Sequence, residues 1–366
     1  MLRALSFRAA LVAVLVAFAT GVIGSLALRP ASQEIQQREV SVGQSARWRV
    51  PTAFGTHLPG LGENAPWVAG QIREASAGRL DLEIFEPGEL VPAFSITDAV
   101  REGKVEAGYT WLGYDQGKLP VSVLFGAVPF GLEPWSFSAW WYEGGGQTLA
   151  REIYEPLGIH AMLCGVIGPE TAGWFRFPLT GLEDVQGLKI RFAGLGGKVI
   201  QRLGASVTML PGGEIFQALE KGAIDATEYS LPNVDERLGF GRVAAFNYFP
   251  GWHQPFTAMH LMIGTQAWES LSPSDQVLVA TSCQAGVTHK LSQTEALQGP
   301  VLAGFADAGI TALMLPEKLL TELERVSEEV LAEEALADAD FARVLASQRA
   351  FSESYALWRR HAYPNR

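Results

Sequence analysis

Apolar residues along this chain recur with two different periods, and the changeovers mark out alternating strands and helices. Leu80 to Phe85 alternates apolar and polar at every second position, as a half-buried strand does. Before it, a helical pattern runs from about Glu63 to Ala77 and stops at Gly78, the residue type that closes a helix in a left-handed conformation. A further strand is predicted near Arg47 to Ala53. The segment Ile96-Thr97-Asp98-Ala99-Val100-Arg101-Glu102-Gly103-Lys104-Val105-Glu106-Ala107 aligns without gaps on Ile215-Phe216-Gln217-Ala218-Leu219-Glu220-Lys221-Gly222-Ala223-Ile224-Asp225-Ala226. Each reads as a short helix, a glycine terminator and a buried strand. The echo predicts two similar α/β lobes. Residues after the two strands, Tyr109-Thr110-Trp111 and Glu228-Tyr229, would then face each other across a cleft, because ligands in open α/β sheets sit off the carboxyl ends of strands. From Ser272 a long helix is predicted to about Gln298. Charged amphipathic stretches, Glu317 to Glu334 and Phe341 to Arg360, follow it, and such segments brace lobes or pair subunits.

The amino terminus breaks this pattern. Arg3 and Arg8 precede an apolar run from Ala9 to Phe18, and Ser25-Leu26-Ala27 gives a small-residue exit. Residues 1–28 read as a secretory signal peptide, with an uncleaved membrane anchor as the competing reading. No cysteine follows the run, which excludes a lipoprotein anchor. Residues 29–43 read as a polar linker. Secretion predicts a periplasmic protein. Only Cys164 and Cys283 are present, and they suit either one disulfide or two buried thiols.

The 366 residues are 48% hydrophobic and 18% charged, ample for two lobes with packed cores. The formal net charge of -11, with no basic face in the sequence, excludes nucleic-acid binding. Against that acidic background Arg176 and Arg191 stand out, each late in an apolar strand-like run: Gly173-Trp174-Phe175-Arg176 and Gly187-Leu188-Lys189-Ile190-Arg191. A guanidinium at a strand end is a permanently charged fork that matches a carboxylate. Buried arginines need counter-charges. Glu170 and Glu228 serve either as their salt-bridge partners or, with Gln254 nearby, as oxygen donors to a hard cation that touches a bound acid. The glycine loop Gly194-Leu195-Gly196-Gly197 lacks a phosphate-cradle spacing and reads as a tight strand-to-helix turn. The six histidines are dispersed and are each expected to be satisfied structural residues. No nucleophile elbow, zinc-protease motif or dinucleotide fingerprint appears, so binding is expected rather than catalysis.

At these residues the chain resembles the solute-binding subunits of tripartite ATP-independent periplasmic (TRAP) transporters. The two arginine motifs carry the resemblance, together with Gly222-Ala223-Ile224-Asp225-Ala226-Thr227-Glu228-Tyr229, Pro129-Phe130-Gly131 and Trp268-Glu269-Ser270-Leu271. Tyr248-Phe249-Pro250-Gly251-Trp252-His253-Gln254-Pro255 resembles the branch that takes 2-oxo and 2-hydroxy monocarboxylates. The resemblance implies an α/β, two-lobed periplasmic binding protein with crossing hinge strands and a long bracing helix. Lobe I would be residues 44–170 with 257–298 returning to it, and lobe II residues 171–256 with 299–316. Residues 317–366 would brace the lobes or form a dimer. It implies a substrate site of Arg191, Arg176, Glu170, Glu228, Tyr229, Gln254 and Trp111, and a Na⁺ or Ca²⁺ ion held by Glu170, Glu228 and the Tyr229 carbonyl. No organic cofactor is implied. The branch has glutamine at the position of Glu170 and tryptophan at that of Tyr229, so this chain departs from it twice. Lobe closure on a small organic acid, for delivery to TRAP membrane subunits, is the expected function. A ligand sensor for a signalling partner and a metal-assisted secreted enzyme are the alternatives.

Overall fold

The computed structural model describes residues 7–27 and 45–362, and the chain divides into two units, Met1–Val42 and Gly43–Arg366. In the first unit, Phe7–Ala27 forms one helix, and the expected linker at 29–43 lies outside the described residues. Among the described residues no helix is long and apolar enough to cross a membrane.

The second unit is built on two sheets. In the first, β3 (Ala107–Trp111) and β4 (Ile159–Ile167) flank β10 (Thr257–Gly264), which is buried except at Gly264, both antiparallel to it. The parallel pair β1 (Ala46–Pro51) and β2 (Leu80–Phe85) joins this sheet through a bridge between Thr52 and Tyr109. The second sheet has the order β11 (Thr311–Met314), β9 (Phe246–Phe249), β5 (Gly173–Phe175), β8 (Ala226–Thr227), β6 (Lys189–Arg191) and β7 (Ser206–Thr208). The strands of the first sheet lie within residues 44–170 and 257–298, and those of the second within 171–256 and 299–316.

The chain crosses between sheets at residues 168–172 and returns at residues 250–256. These two segments run side by side: Glu170 N donates to Gln254 O at 3.2 Å, and just before the return Ala172 N donates to Tyr248 O of β9 at 2.7 Å. Contact is close because Gly251 has no side chain; a Cβ there would stand 2.1 Å from the Glu170 carbonyl oxygen.

The helix after Ser272 runs from Pro273 to Gly304 and passes through Pro300, beyond the end near Gln298 that the pattern predicts. Ser272 Oγ caps it by accepting from Asp275 N at 3.2 Å. One face packs on β4, where Cys283 is disulfide-bonded to Cys164, which resolves the open choice in favour of a bridge. Its far end reaches the second lobe, with Gln298 Nε2 donating to Asn233 Oδ1 at 2.8 Å. The last two helices also span both lobes. Glu317–Ala337 packs on the helix Gly194–Arg202, and Ala339–Ala362 packs on the first lobe, where Gln348 Nε2 donates to Leu124 O at 2.7 Å.

The repeated unit is present at both of its sites. Gly103 and Gly222 both adopt left-handed backbone, φ 69° and 68°, between a short helix and a strand. The Gly194-Leu195-Gly196-Gly197 turn opens the helix Gly194–Arg202 directly after β6, as expected.

Candidate functional site

The two crossing segments and the ends of β3, β6 and β8 converge on a small cavity between the sheets. Phe54, Leu61, Trp111 and Tyr114 line it from the first lobe, and Arg191, Ala193, Glu228 and Tyr229 from the second. Glu170 and Gln254 come from the crossings, and Thr257 opens β10. Closure brings Trp111 against Gly194 across the cleft, where a Cβ would lie 2.9 Å from the indole.

Arg191 ends β6, and β8 pairs with its strand so that Glu228 follows beside it. Its Nη1 donates to Glu228 Oε1 at 2.6 Å and to Glu228 O at 2.9 Å, and its Nε donates to Leu210 O at 3.2 Å. The guanidinium carbon sits 5.3 Å from the centre of the Tyr229 ring. Nη2 takes part in none of these hydrogen bonds. Glu228 Oε1 also accepts from Ala193 N at 2.6 Å. Burial works against the Glu228 carboxylate, but Arg191, His253 and the Ala193 N–H together outweigh it and hold the pKa below the ordinary value.

Glu170 is buried as deeply. Its Oε1 accepts from Thr257 Oγ1 at 2.6 Å, and Thr257 Oγ1 accepts from Gln254 Nε2 at 2.9 Å. Its Oε2 has no hydrogen-bond partner. Burial raises the Glu170 pKa.

The structure brings Arg191, Glu170, Glu228, Tyr229, Gln254 and Trp111 together and leaves Arg176 out. Arg176 follows the last residue of β5 and is exposed, with Nη1 3.2 Å from where a Cβ of Gly222 would be. It therefore does not pair with Glu170.

The pattern of the sequence missed His253. Its Nε2 lies 3.4 Å from Glu170 Oε2 and 3.5 Å from Glu228 Oε2, with the side chain 1% exposed. Neither ring nitrogen has a hydrogen-bond partner, so the expectation of a satisfied structural histidine fails here. Burial pulls the imidazole pKa down, but Glu170 and Glu228 outweigh it and hold it at about 9. The signal available in the sequence was its place beside Gln254. Neither ring nitrogen of His260 has a hydrogen-bond partner either; it differs in having no carboxylate beside it, is buried against Trp141, and burial pulls its pKa down to about 3, so it is neutral.

Two lobes hinged by paired crossings around a buried arginine define a solute receptor. Residues 62–337 match the bacterial extracellular solute-binding protein family 7 (DctP), and the chain belongs to that family. It is 35% identical to a monocarboxylate 2-oxoacid-binding periplasmic protein of Nostoc sp., over 86% of each chain. Its fold matches a TRAP transporter solute-binding protein from Bordetella bronchiseptica, described as a mixed-occupancy dimer with copurified calcium and picolinate. That match has a TM-score of 0.85 and 30% identity, over 87% of this chain and 95% of that one. A TRAP periplasmic solute-binding protein from Pseudoalteromonas atlantica with bound sodium and pyruvate matches at TM-score 0.84 and 31% identity, over 87% and 97%. The chain is thus a TRAP-type solute receptor rather than an enzyme.

Proposed function

We propose that this receptor captures a small 2-oxo or 2-hydroxy monocarboxylate, with a cation, and presents the closed form to TRAP membrane subunits. The observation that carries the proposal is Arg191, about 1% exposed yet on the wall of the cavity. Its Nη2 is the donor for the incoming carboxylate. The cavity is small, which favours an acid of few heavy atoms. Trp111, Tyr229 and Gln254 shape its walls and orient the guest. Closure is favoured because only the closed form touches the acid from both lobes.

Charge balance supports the cation. Arg191 and His253 already offset Glu228 and Glu170, so a bound carboxylate adds an uncompensated negative charge in a dry site. The residues fit an ion: Glu170 Oε2 is buried without a hydrogen-bond partner, and Glu170, Glu228 and His253 each offer a donor atom within 4.8 Å of the others. Glu170 and Glu228, with the Tyr229 carbonyl, would hold it. When bound, the ion supplies positive charge to the acid's oxygens.

The apolar run at residues 9–18 supports export through a cleaved signal peptide at residues 1–28, and so a periplasmic location. Leu357 and Trp358, exposed on the last helix, support pairing of two copies through that helix. Calorimetric titration tests the main reading. Pyruvate and 2-oxoisovalerate should bind in the presence of Na⁺, Ca²⁺ or Zn²⁺, and succinate should not. Succinate binding with no response to either 2-oxo acid would overturn it.

A further inference from the structure

We propose that Glu170, Glu228 and His253 form a site for a first-row divalent transition metal of the Zn²⁺ kind, with His253 Nε2 as a nitrogen donor. The inference rests on the reading of the cavity as an acid-and-cation site and names the ion class that this chain selects.

Three observations carry it. The first is spacing. His253 Nε2 stands 3.4 and 3.5 Å from the two carboxylate oxygens. That exceeds the 2.7–3.2 Å of a normal N–H···O bond. It matches the gap between neighbouring donors of one ion, since atoms about 2.0–2.1 Å from a tetrahedral zinc lie about 3.4 Å apart. The second is satisfaction. Glu170 Oε2 and His253 Nε2 are buried and lack any hydrogen-bond partner, a costly state that a shared ion removes. The third is donor chemistry. Na⁺-like and Ca²⁺-like ions take oxygen ligands, whereas an imidazole nitrogen suits zinc and its first-row neighbours.

His253 does not itself line the cavity; it meets the two carboxylates that do. Coordination uses the Nε2 lone pair, so a bound ion takes the place of the proton there. Three protein donors leave coordination positions for a guest, and the carboxylate and keto oxygens of a 2-oxo acid form a chelating pair that suits them.

Metal-stripped full-length protein, loaded separately with Zn²⁺, Co²⁺, Ca²⁺ and Na⁺, provides the test. Equilibrium dialysis with elemental analysis should give one Zn²⁺ per chain, bound at least about 10-fold more tightly than Ca²⁺. Co²⁺ should give an intense visible band that shifts when pyruvate is added. His253→Gln should weaken Zn²⁺ by about 10–100-fold and leave Ca²⁺ within a few-fold. Ca²⁺ preferred over Zn²⁺, or a wild-type Co²⁺ form without that band, overturns the inference even if the variant does not fold. Pyruvate titrated into the same samples separates the two claims. Pyruvate bound with Ca²⁺ alone or with no ion overturns only the donor assignment; pyruvate bound under no condition overturns the acid-capture reading.

Discussion

Arg191 Nη1 stands 2.6 Å from Glu228 Oε1, and each side chain is 1% exposed. Desolvating both charges costs several kcal/mol, so such a pair contributes little net stability. Its place in the wall of the cavity fits the proposed role, in which one carboxylate holds the guanidinium and the bound acid supplies a second.

Removing one partner exposes that balance. Arg191→Ala leaves Glu228 buried without its main counter-charge, and the free energy of unfolding should fall by about 3–5 kcal/mol in urea titrations. Calorimetry should show no acid binding. In Arg191→Met/Glu228→Gln, the charges left are His253 and Glu170, which offset each other. That variant should recover most of the lost stability and still not bind acid. Undiminished acid affinity in Arg191→Ala would remove Arg191 from the site.

His253 gives the metal-free protein a pH dependence of definite sign. Its pKa rises from an ordinary 6.5 to about 9 on folding. The raised pKa means that the folded state holds this proton more tightly, so the contribution is fully present below pH 6.5 and is lost as pH rises through 9. The shift corresponds to about 3 kcal/mol between those limits. Chemical denaturation of chelator-treated protein across that range should show the decline, and His253→Gln should flatten it. A wild-type profile already flat there would contradict the placement of His253 between two carboxylates.

The residues that the sequence made legible sit where a local pattern ends in something unusual. Arg191 ends one short strand, Glu228 and Tyr229 follow another, and the glycine-terminated repeat located Trp111 opposite them. Arg176 and Arg191 looked alike because both end apolar runs. They part company because β6 leads its last residue into the cleft beside β8, whereas Arg176 emerges past β5 onto the surface. His253 was not legible because residues 250–256 have no periodicity. Its neighbours are set by the pairing of that crossing with residues 168–172, a contact between segments far apart in sequence. The α/β alternation could be read locally. The mixed second sheet could not, since its order depends on the return of β9 and β11 after long excursions.

The bridge between Cys164 and Cys283 joins β4 to the long helix across 119 residues of sequence. Cross-linking so long a segment restricts the unfolded chain strongly. Cys164→Ala/Cys283→Ala should therefore lower unfolding stability by about 2–5 kcal/mol. Neither cysteine lines the cavity, so acid affinity by calorimetry should stay within a few-fold of wild type. A double variant as stable as the oxidised wild type would show that the bridge does not constrain the fold.

Gly251 tests whether the paired crossings hold the site in register. A Cβ there would lie 2.1 Å from the Glu170 carbonyl oxygen and 2.6 Å from its carbonyl carbon. Both are backbone atoms, so no rotamer change relieves the clash, and the segments must separate. Separation strains the Glu170 N to Gln254 O bond and draws the Glu170 carboxylate away from Thr257 and His253. Gly251→Ala should lower stability by about 1–3 kcal/mol, the usual cost of overpacking, and weaken acid binding as well. Gly213→Ala is the matched control, because a Cβ at that position meets nothing within 4 Å and lies at the start of a helix, where alanine is well tolerated. If urea titration and calorimetry give the two variants the same stability and the same affinity, close contact between the crossings is not what positions Glu170.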